Sequence, residues 1–317
     1  MKLDYKINLQ LTQESGQTSQ PSWKLIENEY CNVCLINETP ILLKVSQNSF
    51  NHLEVNYELL NENHDINEKL IHNEIAKIYD LNFDLIKFYK FLSKDKKLES
   101  TIKFCNGLRL FLTQNPFESI ISSITSANNS IVRWTKSIDT ISSKWGKSYN
   151  FHSGTFYTFP NPKILSNTYE DEIAESEGYN KKTIENCINN LKACGIGYRA
   201  SYVKKASKIF SSKINPLDIK SMNFDEAFET LIKIPGIGPK VADCILLYGY
   251  GFTEAFPSDV WIKRIISYLY FDEEDVKVEK VRTFGMEKFK EYAGYAQLYL
   301  FHFARKSGLM NKLKPKN

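Results

Sequence analysis

A short stretch near residue 240 carries the residue types that could break a glycosidic bond. Residues 235–238 read Pro-Gly-Ile-Gly, Lys240 follows closely, and Asp259 opens a later helical pattern. A neutral lysine amine can attack an anomeric carbon and form a Schiff base. A carboxylate can stabilise positive charge on a sugar or relay a proton. The sequence therefore predicts a nucleophile and an acidic partner in one compact unit.

The two glycines of this stretch, Gly236 and Gly238, predict a tight hairpin between helices. Such a hairpin lets a phosphate approach backbone N–H groups, and the positive end of the next helix adds affinity for the anion. The same dipole disfavours an ammonium group, so we expect a lowered pKa and a neutral amine at Lys240. Each feature taken singly also has an ordinary structural interpretation. The glycines could form a packing joint between two helices, Lys240 could be a surface lysine, and Asp259 could be a helix N-cap. The combination favours chemistry on a nucleic acid.

Composition sets broad limits. The chain has 317 residues, is 42% apolar and carries 20 Phe, 18 Tyr and 4 Trp, which indicates a folded protein with room for two domains. A net charge of +4 does not by itself indicate nucleic acid. No apolar run is long enough for a signal peptide or a membrane span. We therefore expect an intracellular protein without a membrane partner, in the cytoplasm or nucleoid of a prokaryote or the nucleus of a eukaryote.

The cysteines do not predict a metal centre. Cys31 and Cys34 have ligand-like spacing, but no second pair or histidine follows at the distance that a zinc site needs. Cys187 and Cys194 likewise lack the two further cysteines of an iron–sulfur cluster. We expect reduced, mostly buried thiols and no metal or cofactor.

The hydrophobic pattern divides the chain in two. In the first sixty residues strict alternation and short apolar runs predict an antiparallel sheet, with strands at 6–11, 23–26, 30–36, 41–45 and 52–59. From about Ile66 the period becomes helical. The clearest helix start is 115–118, where Asn115 can cap, Pro116 suits the first turn and Glu118 can reach back to the cap amide. The prediction is an α+β fold with a β-rich domain over 1–114, including some helices, and a mostly helical domain over 115–317.

The hairpin, Lys240 and Asp259 together resemble the helix-hairpin-helix-GPD DNA glycosylase superfamily. This resemblance implies that Lys240 is the nucleophile, as in members that also cut the DNA backbone, and that Asp259 is the catalytic carboxylate. Further motifs, spread over nearly the whole chain, narrow the resemblance to the 8-oxoguanine DNA glycosylase/AP lyase family with an N-terminal β-domain. The implied partner is duplex DNA containing 8-oxoguanine opposite cytosine, and we expect a monomer that needs no cofactor.

Four residues match the lesion pocket of that family. By the resemblance, the backbone carbonyl of Gly16 accepts a hydrogen bond from N7–H of 8-oxoguanine; normal guanine has a lone pair at N7 and would be repelled. Gln297 and Phe301 are four residues apart, on one helical face. Phe301 would stack on the flipped purine, Gln297 would read its Watson–Crick edge, and Cys244 would line the opposite wall. Without the resemblance, Gly16 could simply form a turn and Gln297 and Phe301 could belong to a core helix.

Four more residues match the part of the family that handles the cytosine left behind. Asn128 and Arg133 take the cytosine-contact positions, and Arg133 could donate two hydrogen bonds to its acceptor edge. Tyr198 matches the wedge that fills the vacated space, which helps to offset the few kcal/mol needed to extrude a base. Arg199 would join Asn128 and Arg133 on the cytosine.

The sequence also departs from the family pattern. Trp261 stands where the animal enzymes have a histidine near the 5′ phosphate, so the resemblance assigns no such contact here. An insertion at 175–186 has no matching role. Two alternatives remain open: a helix-hairpin-helix glycosylase for other oxidised or alkylated bases, and a non-catalytic helix-hairpin-helix DNA-binding protein.

Overall fold

The computed structural model describes residues 1–21, 23–61, 66–170, 190–272 and 275–309. The insertion at 175–186 and Cys187 therefore lie outside the described residues.

An antiparallel sheet of five strands forms the N-terminal part, as the alternation predicted. Its spatial order is β1-β5-β4-β3-β2. The strands are β1 (Lys2–Asp4), β2 (Lys24–Ile26), β3 (Glu29–Ile36), β4 (Thr39–Ser49) and β5 (His52–Leu59). Four of the five predicted strands are confirmed by β2 to β5.

The predicted strand over residues 6–11 is wrong. Asn8 instead caps a short helix, α1 (Leu9–Gln13), and its side chain accepts from the Leu11 amide at 2.9 Å. Ile7 and Leu9 are both buried, so the alternation of apolar residues here reflects burial and not strand pairing. Because a capping asparagine satisfies a free amide of the first turn, it favours a helix start over a continuing strand.

Helices form most of the remaining described chain, as expected from residue 66 onward. They are α2 (Glu68–Ile78), α3 (Leu85–Leu92), α4 (Glu99–Phe104), α5 (Pro116–Ser126), α6 (Ile131–Trp145), α7 (Pro162–Asn167), α8 (Arg199–Ser212), α9 (Phe224–Ile232), α10 (Pro239–Cys244), α11 (Val260–Tyr270), α12 (Val278–Phe289) and α13 (Ala293–Lys306). A π-helical segment, Ile245–Tyr250, continues α10.

Helix α5 begins where the sequence indicated. The Asn115 side chain accepts from the amides of Phe117 (3.1 Å) and Glu118 (3.4 Å), and Pro116 occupies the first turn. We expected the Glu118 side chain to accept from the backbone amide of Asn115, but a different side chain accepts from it. The Asn115 N–H donates to the Thr113 hydroxyl at 3.1 Å, so the loop before the helix satisfies the cap.

A β-hairpin interrupts the region that we predicted to be helical. It consists of β6 (Ser148–Phe151) and β7 (Gly154–Tyr157). Tyr149, Phe151 and Phe156 pack on the sheet, in a cluster with buried side chains of β3 and β4. At its turn, the amide of Ser153 donates to Glu58 at 3.1 Å and its hydroxyl contacts Lys44 and Glu58. The hairpin therefore clamps the helical region onto the sheet.

The described residues form two main hydrophobic cores. One lies between the sheet and α2, and the other lies among the later helices. Helices α3 and α4 precede residue 115, yet Leu85, Phe88 and Thr101 are buried and the first two join the helical core. The segment before 115 thus contributes to both cores.

Candidate active site

One cavity of about 260 Å³ brings together six residues that the sequence analysis singled out. They are Gly16, Lys240, Cys244, Asp259, Gln297 and Phe301. They come from the N-terminal loop, α10, the cap of α11 and α13. A larger cavity of about 440 Å³ lies between the sheet and the start of α5, but none of these six residues lines it. The smaller cavity is therefore the candidate active site.

Lys240 lies in the first turn of α10, with Cys244 one turn further along. Its pKa is raised: burial acts to lower it, but a hydrogen bond and charge interaction with Cys244 and the charge of Asp259 prevail. Burial has the opposite effect on the Cys244 thiol and raises its pKa. The expectation of a lowered pKa at Lys240 is therefore wrong for the free protein. The neighbouring Cys244 and Asp259 side chains favour the ammonium form of Lys240 in the free protein.

Asp259 is the N-cap of α11, as predicted. Its Oδ1 accepts from the amides of Trp261 and Ile262, both at 2.9 Å. These bonds fix the orientation of the carboxylate and use only one of its oxygens. Within the described ranges Oδ2 forms no hydrogen bond or ion pair, so it remains available to the cavity.

Gly16 occupies a position that favours glycine. Its φ is +81°, and a Cβ there would lie 2.5 Å from Ile131 Cδ1 and 2.7 Å from Arg305 Nη1. The adjacent Gln17 is buried and fixes the loop: its Oε1 accepts from the Phe111 amide at 2.8 Å, and its Nε2 donates to a carbonyl of the same segment at 3.0 Å. The backbone at Gly16 is thus held rigidly at the cavity wall.

Gln297 and Phe301 project from one face of α13 into the cavity. Gln297 is only 5% exposed, and its Nε2 donates to Pro257 O at 2.9 Å. That bond fixes the amide orientation, because the reverse orientation would set two oxygens against each other. Gln297 Oε1 is then buried without a partner among the described residues. An unpaired buried acceptor costs about 1–3 kcal/mol, so it favours a ligand that donates a hydrogen bond.

A second cleft, of about 500 Å³, joins the hairpin to three of the predicted cytosine-side residues. Gly236, Gly238, Asn128, Tyr198 and Arg199 all line it. Gly236 has φ +90°, and a Cβ there would lie 2.5 Å from Tyr202 Cβ and 2.6 Å from Tyr202 Cγ, so the turn requires glycine. Gly238 has an ordinary φ of −90° and caps α10 beside open space. The predicted tight turn therefore needs the left-handed backbone of glycine at Gly236.

Arg199 supports the turn that presents Asn128. Its guanidinium donates to the carbonyls of Ala127 (2.7 Å), Asn128 (2.9 Å) and Ile196 (3.3 Å). These bonds use three of its five N–H groups. Tyr198 is 57% exposed and its ring centroid lies 4.5 Å from the Arg199 guanidinium carbon. A buried arginine therefore braces an exposed ring and an exposed asparagine.

Arg133 is the one cytosine-side residue that lines neither cavity. It is exposed in the first turn of α6, where its amide donates to the Ser130 hydroxyl at 3.3 Å. It lies five residues after Asn128, at the opposite end of the loop that joins α5 to α6. The cytosine contact expected of Arg133 must therefore be made outside both cavities.

Sequence reasoning missed Arg305 and Tyr248, which line the active-site cavity with Trp261. Arg305 follows Phe301 by four residues, as Phe301 follows Gln297. Extending that spacing by one step would have found it.

In the part of the chain that the structure describes, no group of three or more His, Cys, Asp or Glu residues is placed to hold a metal ion. No helix there has the length and apolar character needed to cross a bilayer.

Comparisons with known proteins agree with this geometry. Residues 2–120 match the 8-oxoguanine DNA glycosylase N-terminal domain, and residues 121–291 match the HhH-GPD superfamily of base excision DNA repair proteins. A probable N-glycosylase/DNA lyase of Methanothermobacter thermautotrophicus is 41% identical over 97% of this chain and 96% of its own length.

Solved structures show the same relationship. The Clostridium acetobutylicum 8-oxoguanine glycosylase/lyase, in complex with double-stranded DNA containing cytosine opposite 8-oxoguanine, is 32% identical. Its TM-score is 0.77, with 96% of this chain and 93% of that chain covered. A 3-methyladenine DNA glycosylase from Archaeoglobus fulgidus has a TM-score of 0.76 at 20% identity, covering 97% and 98%, and shows the shared fold alone. This chain belongs to the 8-oxoguanine DNA glycosylase/lyase family, within the HhH-GPD superfamily of base excision repair enzymes.

Proposed function

We propose that this enzyme excises 8-oxoguanine opposite cytosine from duplex DNA and then cleaves the abasic strand through a Schiff base on Lys240. The observation that carries the proposal is the convergence of Lys240, Asp259, Gly16 and Gln297 on one cavity, with an unpaired acceptor on Gln297.

Base selection depends on hydrogen-bond complementarity. The carbonyl of Gly16 accepts from N7–H of 8-oxoguanine and repels the N7 lone pair of guanine. Gln297 Oε1 accepts from a donor on the Watson–Crick edge, which satisfies the buried atom that is unpaired in the free protein. Phe301 stacks on one face of the base and Cys244 lies against the other. The rigid setting of Gly16 and Gln297 supports this assignment.

The chemistry begins with the ammonium form of Lys240. As the glycosidic bond breaks, the base leaves with the bonding electron pair and can take the lysine proton. The neutral amine then bonds to C1′, while Asp259 stabilises the positive charge on the sugar. The C1′–O4′ bond then breaks, O4′ takes up a proton released from the attacking nitrogen, and the sugar ring opens to a protonated Schiff base. This acidifies C2′–H. Water takes up the C2′ proton, and β-elimination breaks the C3′–O bond, with the 3′ phosphate as the leaving group. Water frees the lysine, and no cofactor takes part.

The second cleft holds the DNA and the orphaned cytosine. Backbone amides at Gly236 and Gly238 bind a phosphate, and Tyr198 fills the vacated space. Asn128 contacts the cytosine, together with the N–H groups of Arg199 that its bonds to carbonyls leave over. Arg133 contacts the cytosine from outside the cleft, at the start of α6. The brace formed by Arg199 supports a preorganised site for Asn128.

The test is excision from duplexes with 8-oxoguanine opposite each of the four bases. We expect strong preference for cytosine, and Arg133→Ala should reduce that preference. Lys136→Ala is the matched control, because it removes an exposed positive charge one turn along α6. Equal cleavage opposite all four bases by the wild type would contradict the proposed cytosine contacts.

Fold alone does not determine which damaged base is removed, since an alkyladenine glycosylase shares this fold. A panel of duplexes carrying oxidised or alkylated bases would decide between lesions. Faster release of 3-methyladenine than of 8-oxoguanine would contradict the proposed substrate. The non-catalytic alternative is set aside, because the chain belongs to a family of enzymes.

A further inference from the structure

Arg305 is fixed at one end of the active-site cavity. It lies on α13, and its guanidinium carbon is 5.5 Å from the centroid of the Phe301 ring. Its Nη2 donates to Glu14 O at 3.0 Å, in the loop that leads to Gly16. These two contacts hold the guanidinium against the cavity wall.

The other terminal nitrogen of Arg305 has no such contact. Nη1 is buried and forms no hydrogen bond with any residue that the structure describes. It lies beside Gly16, 2.7 Å from the point that a Cβ on that glycine would occupy. A buried charged donor without an acceptor is costly, so this nitrogen favours a ligand that supplies an acceptor at that point.

The 8-oxoguanine base has acceptors at the corresponding place. If N7–H donates to the carbonyl of Gly16, the oxygens on C6 and C8 flank that bond on either side. Both are hydrogen-bond acceptors, and a donor adjacent to Gly16 can reach one of them. Guanine keeps O6 but has C8–H in place of O8. The Arg305 donor beside the carbonyl acceptor of Gly16 therefore complements the edge of the base that oxidation changes.

We propose that Arg305 is a further base-recognition residue, which donates from Nη1 to a carbonyl oxygen flanking N7 of the flipped 8-oxoguanine. The inference rests on the proposed function, because it requires this base to enter this cavity with N7–H facing Gly16. The positive guanidinium also stabilises the negative charge that develops on the departing base.

The test compares Arg305→Met with Lys306→Met, which changes the exposed neighbouring residue on the same helix. Under single-turnover conditions, Arg305→Met should slow 8-oxoguanine release by roughly 10- to 100-fold, the effect of losing one charge-assisted hydrogen bond. Strand cleavage at a preformed abasic site should be slowed much less than base release, since no base is present there. Arg305→Lys should recover part of the loss.

Binding to modified duplexes identifies the oxygen, with Lys240→Gln as the background to prevent cleavage. If O8 accepts, Arg305→Met weakens binding to 8-oxoguanine and 8-oxoadenine duplexes alike. If O6 accepts, only 8-oxoguanine binding weakens, because adenine carries an amino group at C6. Both results support the proposal. Equal weakening on a tetrahydrofuran abasic duplex, or equal excision by Arg305→Met and Lys306→Met, would overturn it.

These outcomes are separable from failure of the proposed function. Absence of 8-oxoguanine release by the wild-type enzyme would contradict the function itself. Normal release by both the wild type and Arg305→Met would contradict only the role of Arg305.

Discussion

Removal of Arg282 should destabilise the protein by an amount that depends on pH. Asp243 is fully buried on α10, between Lys240 and Cys244, and its carboxylate accepts from Arg282 Nε (2.6 Å) and Nη2 (2.8 Å). The guanidinium carbon also lies 4.3 Å from the Phe228 ring centroid. This pair joins α10, which carries the nucleophile, to α12 and α9.

The magnitude follows from the fate of the orphaned carboxylate. In Arg282→Met, Asp243 must stay ionised without a partner or take up a proton. Uptake at pH 7 costs about 4 kcal/mol, since an unfolded Asp titrates near 3.9 and each pH unit is worth about 1.4 kcal/mol. The cost falls to about 1.5 kcal/mol at pH 5. Burial already raises the pKa of Asp243 in spite of Arg282. Because the pKa of Asp243 is higher in the folded state than in the unfolded state, its contribution to folding stability is fully present below the unfolded-state pKa. That contribution is lost as the pH rises through the folded-state pKa.

The assay is urea unfolding of the wild type, Arg282→Met and the double variant Asp243→Asn/Arg282→Met at several pH values between 5 and 8. We expect the deficit of Arg282→Met to grow with pH. The double variant has no titrating group at this position, so its deficit should be smaller at pH 7 and should not grow with pH. A deficit in Arg282→Met that does not change with pH would refute this reasoning, as would a double variant that is no more stable than the single one.

Three further predictions concern the cavity and the clamp between the sheet and the helical region. Gly16→Ala should reduce 8-oxoguanine release by more than tenfold, because the new methyl would collide with Ile131 and the +81° φ strains alanine; unchanged release in a single-turnover assay would count against the rigid wall. Gln297→Leu should slow release by about 10- to 100-fold while sparing cleavage of an abasic site, since only the base loses its acceptor; parallel loss of both activities would indicate a structural role. Burial would raise the pKa of Glu58, but Lys44 and the hairpin turn hold it at about 2. The stability this gives, at most about 3 kcal/mol, is present above pH 4.5 and lost as pH falls towards 2. Glu58→Gln should therefore flatten the acid limb of a urea-unfolding pH profile, and an unchanged profile would contradict the assignment.

Local patterns predicted the parts of the site that lie on single elements. The spacing between Lys240 and Cys244, and between Gln297 and Phe301, is one helical turn, so their shared faces follow from the sequence. The Asp259 cap and the start of α5 also depend only on neighbouring residues. These features were read correctly because local hydrogen bonds and helical periodicity determine them.

Other features depend on contacts between distant segments. The raised pKa of Lys240 comes from Cys244, one turn along its own helix, and from Asp259 on another helix, and the argument from the helix dipole included neither. Arg199 looked fully free for DNA, but two carbonyls just after α5 and the carbonyl of Ile196 take three of its donors. The β6–β7 hairpin forms because its aromatic side chains pack on the distant sheet. Such effects arise only when the fold brings the segments together.

The central claim is that Lys240 bonds covalently to the sugar of the excised base. Borohydride reduction during the reaction with 8-oxoguanine duplex should trap one protein–DNA adduct, and peptide mapping should locate it at Lys240. The adduct should disappear in Lys240→Gln and persist in Lys87→Gln, a control at an exposed lysine on α3. An adduct at another lysine, or one that survives Lys240→Gln, would contradict the account.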